Sequence, residues 1–247
     1  MCVEQDDPWK VHFILNSKGG VGKSFIAFLL AQYYRQRAAP VVCFDADATT
    51  STFSSFAALD VTRIELMQGP RIDERRFDLI LEKVLTDAAH AVIDTGTSSY
   101  VSLSNYLIEN DVHRQIALMG KQVVVHAIIV GSGRTLLETL NDLDDLATQL
   151  PEEVALMVWL NEHFGAIGEN GKAFENMEVY QRHLSRIHAV FRLPQRTSAT
   201  FGADLAQMMK QHLTFAEAIA SPDFSIMARQ RLMQMRRDIF AQMDGAL

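Results

Sequence analysis

The segment Lys18-Gly19-Gly20-Val21-Gly22-Lys23-Ser24 sits between two apolar runs, Val11-His12-Phe13-Ile14-Leu15 before it and Phe25 to Tyr34 after it. A short apolar strand, a glycine-rich turn and the start of a helix are the context that a phosphate-binding loop requires. Glycines let successive backbone N–H groups turn inward toward phosphate oxygens with no Cβ in the way. The helix N-terminus adds partial positive charge. Lys23 is placed to reach the β- and γ-phosphates, and the Ser24 hydroxyl to ligate Mg²⁺. The ordinary pattern, G-x-x-x-x-G-K-[ST], puts a glycine where this chain has Ser17, and a second lysine, Lys18, heads the loop.

Outward from the loop, apolar runs recur: Val41 to Phe44, Ala91 to Ile93, Val123 to Val130, Val154 to Leu160 and Ile187 to Phe191. Continuous apolar runs of this length mark strands buried on both faces. Helical periodicity fills the gaps: Phe25–Tyr34, a helix capped by Asp73 through about Leu85, Val101–Glu109, the segment after Gly131-Ser132-Gly133 to about Leu150, Ala173–Ser185, Ser198–His212 and Ser225–Met243. Strands alternating with helices predict an α/β fold, a doubly wound, mostly parallel sheet with helices on both faces. No repeat, low-complexity segment or linker interrupts it, so residues 1–247 are expected to form a single domain.

In such sheets ligands lie at the carboxyl ends of the strands. There the chain carries the loop, then Asp45-Ala46-Asp47, Asp94-Thr95-Gly96, Gly131-Ser132-Gly133, Asn161 and Pro194. Three carboxylates beside a phosphate loop can organise Mg²⁺ and water for phosphoryl transfer. Asp94, at the end of a hydrophobic strand, is expected to hold Mg²⁺. The eight histidines show no metal-binding H-x-x-x-H or H-E-x-x-H spacing, and G-x-S-x-G is absent.

The composition, 48% apolar and 21% charged over 247 residues, is ordinary for a globular protein. A net charge of −7 argues against a surface that is DNA-binding throughout. The balance is uneven: from Arg182 onward, nine Lys and Arg stand against five Asp and Glu. Two cysteines, the terminal Cys2 and Cys43 within an apolar run, suit a reducing compartment. The acidic N-terminus is no signal peptide, and no run reaches membrane-spanning length. The expected location is the cytoplasm, with peripheral attachment to a membrane left open.

The K-G-G-x-G-K-[ST] pattern of residues 18–24 resembles the deviant Walker A signature of the partition and septum-site (ParA/MinD-type) P-loop ATPases. That resemblance implies ATP and Mg²⁺ as ligands and an ATP-sandwich homodimer in which Lys18 reaches the partner's nucleotide. It implies that loop residues Lys18, Gly19, Gly20, Val21, Gly22, Lys23, Ser24 and Phe25 contact the nucleotide. Asp45 and Asp47 resemble the D-x-D of switch I, the second Asp orienting the attacking water and the first supporting the metal's water shell. Asp94-Thr95-Gly96 resembles switch II, Asn161 the adenine-reading residue, and Phe191–Pro194 the segment beside the base. Where many partition proteins continue with Pro-Gln, this chain has Ala48-Thr49, which loosens the tie to the partition branch. Val158-Trp159-Leu160-Asn161, Gly171-Lys172-Ala173-Phe174-Glu175, Leu213-Thr214-Phe215 and Ile226-Met227-Ala228-Arg229-Gln230-Arg231-Leu232 look like the TraL/StbB group of accessory ATPases of conjugative plasmids. This likeness implies work in conjugal transfer or in plasmid maintenance and positioning, with protein partners of a transfer or partition system.

Two rival functions remain on the same fold: an ATP-dependent small-molecule ligase or kinase, and a nucleotide-binding scaffold that does not hydrolyse. The basic helix at about 225–243 carries Ala228, Leu232, Met235, Ile239 and Met243 on one stripe. Docking on the sheet, a membrane surface, and a partner or DNA are its three possible fates.

Overall fold

The computed structural model describes residues 8–131, 133–169 and 172–247. Cys2, Ser132 and Gly171, which figure in the sequence reading, lie outside them. The strands are β1 (Trp9–Ile14), β2 (Val41–Ala46), β3 (Val61–Arg63), β4 (Met67–Gln68), β5 (Arg71–Ile72), β6 (His90–Thr95), β7 (Lys121–Val130), β8 (Ala155–Asn161), β9 (Gly168–Glu169), β10 (Lys172–Ala173) and β11 (Ile187–Leu193). Seven of them form one sheet in the order β11-β8-β7-β1-β6-β2-β3, parallel at every pairing. β4 with β5, and β9 with β10, form small antiparallel hairpins outside it.

Alternate residues of the central strands feed two cores, as burial on both faces demands. Val123, Val125, Ala127 and Ile129 of β7 face one core, and Val124, Ile128 and Val130 the other. The helices are α1 (Lys23–Gln36), α2 (Arg76–Thr86), α3 (Tyr100–Glu109), α4 (Val112–Leu118), α5 (Gly133–Gln149), α6 (Glu178–Arg182), α7 (Ala203–Lys210), α8 (Phe215–Ala220) and α9 (Ile226–Met243). α1 is buried nearly all round, from Ile26 to Tyr34, because it lies between the sheet and the C-terminal helices.

One helix expectation fails. Ala173–Ser185 is not a single helix: Lys172–Ala173 pairs as β10, Phe174–Asn176 makes a 3₁₀ turn, and only Glu178–Arg182 is α-helical. Phe174 and Met177 are pulled into the core, and Met177 takes extended dihedrals that break the helix. Two helices were not foreseen. α4 is seven residues long, and α8 six. α8 starts at a capping box in which the Thr214 hydroxyl accepts from the Glu217 amide while the Glu217 carboxylate accepts from the Thr214 amide.

The stripe on α9 is docked. Ala228, Leu232, Met235, Ile239 and Met243 are all buried in the core cluster that also holds α1. The carboxamide of Gln242 fixes the helix to the end of β11, accepting from the Arg192 amide (2.7 Å) and donating to the Arg192 carbonyl (3.0 Å). Asp238 pairs with Arg196 at 2.9 Å. The stripe is therefore occupied by the chain's own core and not free for a membrane surface. Cys43 is a buried core thiol, its pKa pushed up to about 12 by that burial. No helix among the described residues is long and apolar enough to cross a membrane.

Candidate functional site

The chain runs outward from β1 to β2 and β3 on one side, returns to β6, and then passes to β7, β8 and β11 on the other. The order reverses beside β1, and the crevice at such a point is where open α/β sheets bind ligands. The loop after β1 fills it. Gly20 (φ 74°) and Gly22 (φ 107°) take positive φ, which L side chains adopt only with strain. At Gly22 a Cβ would also stand 2.9 Å from the Asn161 side-chain nitrogen, so glycine is required twice over.

Lys23, 7% exposed, opens α1 and curls back over the loop. Its ammonium donates to the Lys18 carbonyl (2.9 Å) and to the Thr97 hydroxyl (3.3 Å). Burial lowers its pKa, and Asp94, Asp47 and Asp142 offset part of that shift. Asp94 and Asp45 are register partners at the ends of β6 and β2. Burial raises the Asp94 carboxyl to about 8, with Asp45 and Asp47 adding to the shift and Ser24 and Lys23 opposing it. Ser24 faces Asp94, yet neither carboxylate oxygen makes a hydrogen bond of normal geometry among the described residues. A buried acid with both oxygens open is costly in isolation and calls for a cation.

Mg²⁺ fits that environment. No group of three or more His, Cys, Asp or Glu side chains able to cage a metal occurs among the described residues. Mg²⁺ keeps several waters and binds through one or two carboxylates plus substrate phosphates, so it needs no such cage. Ser24 and Asp94 are the pair available to it. Asp45 is fully buried and already accepts from the Asp47 amide (3.2 Å) and the Ser54 amide (2.9 Å), so it stands behind that pair.

Asp47 lies on the rim. Burial works to raise its pKa, but hydrogen bonds from the amides and hydroxyls of Thr49 and Thr50 outweigh it and hold the carboxyl below its ordinary value. It is ionised at neutral pH and packs against Gly96, where a Cβ would come within 3.0 Å of the Asp47 Cα. Lys18 does not point into the site of its own chain. Its ammonium pairs with Glu138 of α5 at 2.7 Å, and the side chain is 41% exposed.

Gly22, Phe25, Asn161 and Pro194 line a cavity of about 450 Å³ beside the loop, together with Phe201 and Met235 among others. The structure thus gathers the two late-strand residues, Asn161 and Pro194, next to the phosphate loop. Asn161 also has a second duty: its amide donates to the Val21 carbonyl (2.9 Å) and its oxygen accepts from the His163 amide (3.2 Å), tying the loop to the end of β8. The sequence reading missed Thr97, which meets Lys23, and Asp142, which holds the residues just before the loop. The one local signal for Asp142 is a charged residue on the buried face of α5, between Leu136 and Leu143.

Comparison with known proteins agrees with this geometry. Residues 12–219 match the family model for the CobQ/CobB/MinD/ParA nucleotide binding domain. Two proteins of Escherichia coli, both named Protein TraL, are 40% and 39% identical over 237 residues, covering 96% of this chain and 98% of theirs. In fold the chain is similar to MinD in the MinC:MinD cell division complex of Aquifex aeolicus (TM-score 0.52, 9% identity, 94% and 96% of the two chains covered). It is likewise similar to the septum site-determining protein MinD of Pyrococcus horikoshii, solved with Mg-ADP (TM-score 0.50, 12% identity, 94% and 95% covered). A glycine loop at the sheet's switch point, a family match across most of the length and near-complete alignment to TraL converge: the chain belongs to the CobQ/CobB/MinD/ParA nucleotide-binding domain family, as a TraL-like P-loop member of it.

Proposed function

We propose that residues 1–247 act as one ATP-dependent, dimerising switch that hydrolyses ATP slowly in the service of plasmid transfer or maintenance. The observation that carries this reading is the juxtaposition of a buried loop lysine, Lys23, with a buried acid, Asp94, whose oxygens make no hydrogen bond of normal geometry among the described residues. An arrangement that costly without a ligand is what a phosphate–metal site requires. The kinship with TraL supports placing the switch in conjugal transfer, with proteins of a transfer or partition system as partners.

The roles follow from position. The amides of residues 18–24 and Lys23 hold the phosphates, and the cavity lined by Phe25, Asn161 and Pro194 takes the base. Ser24 and Asp94, with Asp45 behind them, would hold Mg²⁺. Bound there, Mg²⁺ supplies charge neutralisation as the β–γ bond weakens. Asp47, ionised and at the rim, accepts a hydrogen bond from water and orients it for attack. Lys18 exchanges Glu138 for the partner subunit's nucleotide, which supports dimer formation as a condition of turnover. Gly96, packed on Asp47, lets the segment after β6 answer to the γ-phosphate.

The test is turnover with Mg²⁺ and ATP alone, no acceptor being added. Wild type is expected to release phosphate slowly, and Asp47→Ala to bind ATP with turnover at least about tenfold lower. Nucleotide consumption that starts only when an acceptor is supplied would instead favour a ligase or kinase.

A further inference from the structure

The residues that enter the loop are held by a helix remote in sequence. Asp142 of α5, 5% exposed, accepts three hydrogen bonds: from the Ser17 hydroxyl (2.6 Å), the Ser17 amide (2.9 Å) and the Asn16 side chain (3.0 Å). Asn16 in turn bridges to β7, donating to the Ile128 carbonyl (3.1 Å) and accepting from the Ile128 amide (2.7 Å). At these residues side chains replace the main-chain ladder, and the carboxylate of Asp142 is the hub.

Ser17 occupies the position where the ordinary loop pattern has glycine. Its hydroxyl and its amide both find their acceptor on Asp142. One turn earlier on the same helix, Glu138 holds Lys18. The carbonyl of Lys18 is the acceptor for the Lys23 ammonium. A continuous path therefore runs from Asp142 through the backbone of residues 17 and 18 to the ammonium that meets the phosphates.

We infer that Asp142 is a positioning residue for phosphate binding: it sets the backbone of Asn16–Lys18, and through it the aim of the loop amides and of Lys23. The inference rests on the reading of this loop as a nucleotide site. The role is one of hydrogen bonding, since the three bonds that Asp142 accepts are what fix Asn16 and Ser17. An asparagine can take the same place. Its oxygen would accept from the Ser17 amide and from Asn16, and its nitrogen would donate to a rotated Ser17 hydroxyl.

The experiment measures the affinity of wild type, Asp142→Ala, Asp142→Asn and Ser17→Ala for MgADP and for inorganic tripolyphosphate by calorimetry, with a circular dichroism melt of each. Three buried hydrogen bonds are lost together, so Asp142→Ala is expected to bind both ligands about tenfold more weakly or worse. Asp142→Asn should stay close to wild type, and the equal loss for the base-free ligand would locate the defect at the phosphates. Ser17→Ala deletes one bond and leaves α5 intact, so it reports even if Asp142→Ala does not fold; it should bind about threefold more weakly. Wild-type affinity in folded Asp142→Ala, or in Ser17→Ala where Asp142→Ala fails to fold, overturns the inference, as does a loss in Asp142→Asn as deep as in Asp142→Ala. Absence of MgADP binding by wild type itself would overturn the nucleotide reading, and this inference with it.

Discussion

Asp94→Asn is expected to make the ligand-free protein more stable while crippling its use of Mg²⁺. In the fold Asp94 is fully buried and its pKa is raised to about 8. In the unfolded chain it returns to about 3.9. A carboxyl whose folded pKa is raised contributes stability below its unfolded pKa and loses it as pH rises through the folded value. At pH 7 the folded state therefore bears a cost on the order of 4 kcal/mol, about 1.4 kcal/mol for each of roughly three pH units. A neutral amide of the same shape escapes most of it. Urea unfolding without nucleotide should show the Asp94→Asn variant stabilised by several kcal/mol at pH 7, the gain shrinking toward pH 4. Calorimetry with MgATP should show the same variant losing its Mg²⁺-dependent affinity. Equal stability of the two proteins at pH 7 would mean that Asp94 is not under strain. Stability surrendered at a site that must bind charge is a recurrent trade in natural proteins.

A second large effect is expected from acid, and it comes from residues remote from the site. His12 of β1 and His126 of β7 are completely buried on the face of the sheet that packs against α1. The Trp159 indole N–H donates to His126 Nδ1 (2.9 Å), so neutral His126 carries its proton on Nε2 and donates to His12 Nδ1 (2.8 Å). His12 then carries its proton on Nε2 and donates to the Tyr34 hydroxyl (2.7 Å). A third proton has no place in this chain of bonds. Desolvation lowers His126 to about 3 and takes His12 well below its usual value, with His126, His90 and Lys10 adding to the shift on His12.

Both histidines are depressed in the fold, so the unfolded chain binds more protons as pH drops below about 6.5, and stability falls with it. Between pH 7 and 5 His126 alone should remove on the order of 2 kcal/mol, with His12 acting in the same direction, against the roughly 5–15 kcal/mol that ordinarily holds a domain together. Asp94 works in the opposite sense over the same range and offsets a large part of the histidines' loss. Wild type is therefore expected to show a shallow acid slope and Asp94→Asn a steep one, measured as the urea midpoint against pH. A flat profile in Asp94→Asn would mean that the two histidines are not held neutral.

These two effects show where sequence reading reaches and where it stops. The loop, β1, β7 and β8 were legible because their signals are local: glycines at fixed spacing, and apolar runs long enough to be buried on both faces. Asp45, Asp47 and Asp94 were legible as strand-end carboxylates. His12 was hidden inside the run Val11–Leu15, since its partner His126 lies 114 residues away. Asp142 was hidden for the same reason, its partners being 125 and 126 residues away. The segment 173–185 carries helical periodicity, but the burial of Phe174 and Met177 overrides it. α8 hangs on a capping box and runs for only six residues, too short for periodicity to reveal. Asn161 was legible as a strand-end residue, and it lines the cavity beside the loop, yet its bond to the Val21 carbonyl, which makes it a brace for the loop, depends on tertiary geometry alone.

The measurement that bears most directly on the proposed switch is the solution mass of the chain, by analytical ultracentrifugation, with Mg²⁺ and a non-hydrolysable ATP analogue. Wild type is expected to shift from 27.7 kDa to twice that mass when the analogue is added, and to stay monomeric with MgADP. Lys18→Ala should bind the analogue, because Lys23 and the loop amides remain, and yet fail to dimerise. A wild type that binds the analogue and stays at the monomer mass, or a Lys18→Ala variant that dimerises as readily as wild type, would contradict the switch.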